Sequence, residues 1–182
     1  MYFAIYMQYF GSIFALSNLG GSKYVNASIL NVTELLSYIL AVPVVKGLKR
    51  KVSFPGVFLI MTGSAVVFLI NGHNPTTNLI MGVLGKVCVC VSFSISYVYG
   101  PELYPTPIRG IGIGFCTFFG KFGAAIAPLI IIYSDSINVN PMATFGIFLL
   151  IAFITSLGLK ETYGLNLQDQ IPELQLIHSS TD

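Results

Sequence analysis

Charge is what this sequence has least of. Only 9% of its 182 residues are Asp, Glu, Lys or Arg, against about 25% in an ordinary soluble domain. That scarcity argues against a domain folded in water. The formal net charge of +2 is too small to attract nucleic acid, and no Lys/Arg run is interleaved with aromatics outside the apolar segments. Histidine is nearly absent: the two, His73 and His178, are expected on opposite sides of a membrane. No His-Glu-x-x-His, Gly-x-Ser-x-Gly or Walker loop occurs, so no enzyme is expected. Cys88, Cys90 and Cys116 stand inside apolar runs, with no second pair and no nearby histidine to complete a metal site. They read as buried free thiols, and neither a metal nor a cofactor is expected. What fills the chain is apolar: 54% hydrophobic residues and a mean hydropathy of +0.80, the profile of an integral membrane protein.

The apolar residues form six runs of a length suited to crossing a bilayer as helices, which predicts an all-α membrane protein. The expected spans are residues 2–19, 24–45, 53–71, 78–100, 107–133 and 142–159, a bundle over residues 1–160. The first run is read as a span rather than a signal peptide, because no basic residues precede it and no small-x-small cleavage site follows. Turns are expected at Gly20-Gly21-Ser22, at Asn71-Gly72-His73-Asn74-Pro75 and at Ser134-Asp135-Ser136. The polar tail, 161–182, lacks the apolar content to fold alone.

Alternate loops differ in basic residues. Lys46, Lys49, Arg50, Lys51, Arg109 and Lys160 fall on one side and only Lys23 on the other, so the first side is expected to be cytoplasmic, with both termini inside. The triplets at Asn26 and Asn31 match a glycosylation site but lie at or within the second span, where a transferase should not reach, and read as chance matches.

A proline-locked hinge, Tyr99 to Gly110, separates the fourth and fifth runs. Pro101, Pro105 and Pro107 remove backbone donors and push the residues before them toward extended conformations, so one helix should end near Gly100 and the next begin near Pro107. Arg109 in a first helical turn opposes the positive end of the helix dipole and should seek an acid, with Glu102 the nearest candidate. The Gly110/Gly114 pair beyond the hinge is a small-xxx-small motif, which in lipid signals close helix packing.

Three charges lie inside the runs. Glu34 falls about ten residues into the second helix, roughly 15 Å deep at 1.5 Å per residue, and Lys86 and Lys121 reach similar depths in the fourth and fifth. An ionised side chain there costs roughly 2.5 to 3.5 kcal/mol on insertion scales and must face a protein interior or a wet cavity. Glu34 shares its face with Asn31, Ser37 and Tyr38, Lys86 with Gly82 and Cys90, and Lys121 with Gly114, Thr117, Ala124 and Pro128. Gly120 and Gly123 leave room beside Lys121. One carboxylate cannot neutralise two lysines. Either Glu34 ties one of them into a structural pair, or the surplus cation binds a ligand.

Several landmarks, in order, carry a resemblance: Tyr9-Phe10-Gly11 leading to Asn18-Leu19-Gly20-Gly21; Glu34; Lys86 after Leu84-Gly85; Glu102-Leu103-Tyr104-Pro105-Thr106 followed by Arg109 and Gly112; and Lys160-Glu161-Thr162 with Gly164. With these the chain resembles the C-terminal half of the organic cation/organic anion transporter branch of the major facilitator superfamily. The resemblance implies a six-helix bundle of two inverted three-helix repeats. Substrate would lie between this bundle and a second one, near mid-membrane. The family's loop Asp-Arg-x-Gly-Arg-Arg is replaced here by Lys46-Gly47-Leu48-Lys49-Arg50-Lys51, which lacks its aspartate and glycine. In the family that loop helps latch the cytoplasmic side, so Glu102, Arg109, Lys49 and Arg50 become the implied gating residues.

The resemblance also implies that Lys121, Lys86 and Glu34 line the substrate site. Because the position of Lys121 tends to be basic in carriers of organic anions, it points to an anion. Expected partners are a small organic ion, the lipid bilayer, and a second six-helix half or a further copy of the chain; the plasma membrane is the expected location. A truncated or regulatory membrane protein that docks on full-length relatives is the alternative.

Overall fold

In lipid every backbone donor and acceptor must be satisfied within the chain, and an apolar run does so by becoming a helix. The computed structural model describes residues 1–17, 23–70, 75–136 and 141–159. Among these, every regular element is helical: α1 (Tyr2–Ser17), α2 (Lys23–Gly47), α3 (Arg50–Ile70), α4 (Pro75–Leu103), a 3₁₀ turn at Thr106–Ile108, α5 (Arg109–Ser136) and α6 (Pro141–Leu157). Each of the six apolar runs is therefore a helix. Three segments, Tyr24–Gly47, Leu79–Leu103 and Thr106–Ser134, are long and apolar enough to cross a membrane, and Thr144–Leu157 is a shorter apolar helix. The expected turns at 20–22 and 71–74, His73 and His178, the Lys160-Glu161-Thr162 landmark and the tail 161–182 lie outside the described residues, as do the side chains of Lys23 and Asp135.

Polar side chains inside these helices fold back onto their own backbone. Thr33 donates to Ile29 O at 2.7 Å, Ser37 to Thr33 O at 2.6 Å, Ser96 to Ser92 O at 2.8 Å and Thr117 to Ile113 O at 2.8 Å. These hydroxyls are satisfied one turn back without a partner helix.

The ends of α4 and α5 on either side of the expected turns differ from expectation. α4 runs through Pro101 to Leu103 instead of stopping near Gly100: a proline in the last turn forfeits one hydrogen bond, and only two further residues follow it. The stop comes at Pro105, extended at φ −63° and ψ 152°, before the 3₁₀ turn leads into α5. At the far end, α5 continues to Ser136 rather than yielding to a turn at Ser134.

α4 is the central helix, with 56% of its membrane-length window buried against 17% for α2 and 22% for α5. α1 packs on α5 and on α4, α2 packs on α4, and α3 packs on α4 and α6. The core around α4 joins Ile5, Phe54, Phe58, Met61, Val89, Cys90, Ile95 and Leu149. A smaller cluster joins Met7, Leu30, Ala127, Ile131 and Phe145.

The α1 to α5 contact is as tight as backbones allow. A Cβ on Gly123 would stand 2.3 Å from the Phe3 carbonyl oxygen, and one on Gly120 would stand 2.6 Å from the Tyr6 ring. These glycines therefore leave no open room beside Lys121; α1 fills it. Gly110 and Gly114, expected to mediate close packing, have nothing within 4 Å of a Cβ, because that face of α5 meets no other helix among the described residues.

Candidate functional site

Glu34 and Lys86, expected at similar depth from separate helices, meet. Glu34 Oε2 lies 3.0 Å from Lys86 Nζ, with side-chain exposures of 21% and 1%. The other carboxylate oxygen accepts the Tyr9 hydroxyl at 2.7 Å and the Tyr38 hydroxyl at 3.3 Å. The Lys86 ammonium also sits 3.6 Å from the centre of the Tyr9 ring, a cation-π contact. One carboxylate thus ties α1, α2 and α4 together. At 3.0 Å the ammonium and carboxylate are within charge-assisted hydrogen-bond distance.

Aromatic rings extend from this triad along α4. Phe93 packs edge-on against Tyr9 at 5.2 Å and against Tyr6 at 4.8 Å, and it stacks on Tyr97 at 6.1 Å between ring centres. Lys121, on α5, stands over the opposite end of this strip, 5.7 Å from the centre of the Tyr6 ring. It is exposed. The carboxylates with described side chains are Glu34 and Glu102, and each is paired with another cation, Lys86 and Arg50 respectively. The pairing of Glu34 with Lys121, one of the two options left open by the sequence, is not the one found.

The sequence pointed to Lys121, Lys86 and Glu34 but passed over Tyr6, Phe93 and Tyr97, which form the strip between them. A signal was present: Tyr2, Tyr6 and Tyr9 recur at helical spacing on one face of α1.

A second charged cluster closes the end of the bundle near the hinge. Arg50 Nη2 and Nε reach Glu102 Oε1 and Oε2 at 3.1 and 3.3 Å, a two-pronged ion pair. Arg50 Nη1 also donates to the Val45 carbonyl. The expected Glu102 to Arg109 pairing is corrected: Glu102 is held by Arg50, and Arg109 donates to the Tyr104 carbonyl at 3.3 Å and to Thr106 Oγ1 at 3.4 Å. The reason is reach. α4 continues to Leu103 and carries Glu102 toward the loop between α2 and α3, while the 3₁₀ turn leaves Arg109 beside its own hinge. Lys49 is exposed, and its carbonyl accepts the Ser53 amide and hydroxyl, both at 3.0 Å. Beside this cluster, a cavity of about 450 Å³ is lined by Tyr2, Ser96, Tyr99, Tyr104, Cys116 and Phe119 among others, with no charged side chain.

No family model matches the chain. Curated relatives do. Solute carrier family 22 member 15 of Xenopus tropicalis is 29% identical over 184 residues, covering 96% of this chain and 34% of the relative. Member 16 of Xenopus laevis is 31% identical over 165 residues, covering 88% and 29%, and member 13 of Homo sapiens is 27% identical over 178 residues, covering 97% and 32%. The chain thus spans about a third of the length of the curated relatives it matches. These relatives are solute carriers rather than enzymes, and with three helices able to cross a membrane the chain is a multi-pass membrane protein. Matched nearly end to end by several members in the same way, the chain is a homologue of part of the solute carrier family 22 proteins.

Proposed function

We propose that the chain is the C-terminal bundle of a secondary carrier that moves small organic ions, anions by preference, across the plasma membrane. Its six helices serve as six crossings, with both termini cytoplasmic, and a second six-helix half or another copy completes the path. The observation that carries this reading is Lys121, a cation exposed on a helix face over an aromatic strip, while the described carboxylates pair elsewhere. An ammonium in a low-dielectric cavity attracts a carboxylate and repels a cation, and the flanking rings favour an aromatic ligand body.

The helix contacts support an inverted-repeat bundle. Exchanging α1 with α4, α2 with α5 and α3 with α6 turns α1·α5 into α2·α4 and α3·α4 into α1·α6, pairs that are all in contact among the described residues. That is the pattern of two related three-helix units. α2 and α5 are partners in this exchange and are also the least buried of the three long apolar segments, which suits them to facing a second bundle. The same uncovered faces support an alternative: a non-transporting protein that docks on full-length relatives.

The test is a complete carrier made by joining this chain to the N-terminal half of a related transporter. Lys121→Ala is expected to lower uptake of an aromatic carboxylate by roughly tenfold or more, and Lys121→Asp to abolish it and admit organic cations. Retained anion uptake in both variants overturns the assignment. A joined protein that reaches the membrane but transports nothing favours the docking alternative.

A further inference from the structure

Lys86 is the only lysine with a described side chain that is fully buried, and the carboxylate covering it comes from this chain. Glu34 holds Lys86 in an ion pair at 3.0 Å. Tyr9 closes the remaining side with its ring, and its hydroxyl pins the other carboxylate oxygen. Lys121 stands at Tyr6, three residues along α1, about 4.5 Å along the helix axis at 1.5 Å per residue. Two cations therefore bracket one aromatic strip, and one of them is already neutralised from within.

From this arrangement we infer that Glu34 is an internal counter-ion that sets the charge number of the substrate, restricting the site to aromatic monoanions by silencing Lys86. The inference rests on the proposed anion site at Lys121. With Glu34 ionised, the strip offers a net charge of one positive unit. Removing the Glu34 charge raises this to two and favours a dianion, whose second carboxylate gains the field of Lys86. Removing the Lys86 charge lowers it to zero and penalises a dianion more than a monoanion. Tyr38 and Tyr9, the other groups on Glu34, are neutral donors and leave this count unchanged.

The experiment uses the full chain, co-produced in membranes with the N-terminal half of a related carrier, in saturation binding with radiolabelled benzoate and terephthalate at neutral pH. Glu34→Gln, which keeps the side-chain size, is expected to raise terephthalate affinity relative to benzoate by roughly tenfold. Lys86→Met shifts the ratio the other way. The double variant Glu34→Gln/Lys86→Met, which buries no unpaired charge, returns it to the parent value and keeps the test valid if Glu34→Gln folds poorly. Lys121→Ala reports on the underlying site, weakening both ligands together. If Lys121→Ala weakens binding but the ratio stays within about twofold of the parent in both single variants, the counter-ion role is wrong and the anion site stands. If Lys121→Ala changes nothing, or the parent binds neither ligand, the anion site itself falls and the counter-ion role with it.

Discussion

Arg50 differs from the basic residues around it in its surroundings. Lys46, Lys49 and Lys51 are exposed, whereas the Arg50 side chain is 6% exposed and engages both Glu102 oxygens and the Val45 carbonyl. Removing one member of a largely buried, two-pronged pair leaves the other without its counter-charge, a loss of about 2 kcal/mol or more. Glu102→Gln is therefore expected to destabilise the bundle by about 2 kcal/mol, and Arg50→Ala by more, because the Val45 carbonyl also loses its donor. Arg109 makes long hydrogen bonds local to the hinge, and Arg109→Ala should cost about 1 kcal/mol or less. Thermal unfolding in detergent, followed by a maleimide dye on the buried thiols Cys88 and Cys90, ranks the three; an Arg109 variant weaker than the Glu102 variant contradicts the clamp. Counting along the helices put Glu34 and Lys86 at like depth, and the two meet. Sequence reasoning left the lysine partner of Glu34 open and gave Glu102 the wrong one, because pairing depends on which helices adjoin, and neither Arg50 with Glu102 nor Glu34 with Lys86 is close in sequence.

At the scale of elements, the glycines of α5 divide by neighbour. Gly123 lies against the α1 backbone and Gly120 against Tyr6, while Gly110 and Gly114 face open space among the described residues. Gly123→Ala forces two helix backbones apart, since a carbonyl oxygen cannot give way as a flexible side chain can, and should destabilise by about 1–3 kcal/mol. Gly114→Ala meets nothing and should lie within about 0.5 kcal/mol of the parent. The same dye assay on both variants decides it: equal stabilities would mean that α1 and α5 do not pack as closely as described. Helix existence was legible in the apolar runs. Which glycine seals a helix pair was not, because Gly110/Gly114 carries the motif spacing while Gly120 and Gly123 carry the contacts. The aromatic strip was equally hard to see: Tyr6, Phe93 and Tyr97 sit in runs already rich in apolar residues, where an aromatic offers little contrast, and only the packing of α1 on α4 sets them side by side.

For the molecule as a whole, the question is what covers α2 and α5. Leu35, Leu36, Ile39, Phe115, Phe118 and Phe122 are all exposed on these two helices, and lipid covers such side chains at no cost. It does not cover Lys121 so readily, since an ammonium near mid-membrane costs roughly 2.5 to 3.5 kcal/mol on insertion scales unless water or protein receives it. α5 therefore carries an apolar face that lipid tolerates and a charge that asks for a wet cavity, and a second bundle against α2 and α5 meets both requirements by enclosing the strip. A cycle that exposes such a site to each side in turn needs two bodies moving against each other. The purified monomer in liposomes is therefore expected to show no saturable uptake of benzoate, whereas co-reconstitution with the N-terminal half of a related carrier should give uptake that Lys121→Ala lowers by roughly tenfold or more. Cysteines placed at Leu35 and Phe118 separate the ways of covering the face: cross-links between two copies point to a homodimer, and cross-links to the added half point to a completed carrier. Saturable uptake by demonstrable monomers would mean that six helices suffice and that the strip is enclosed without a second bundle.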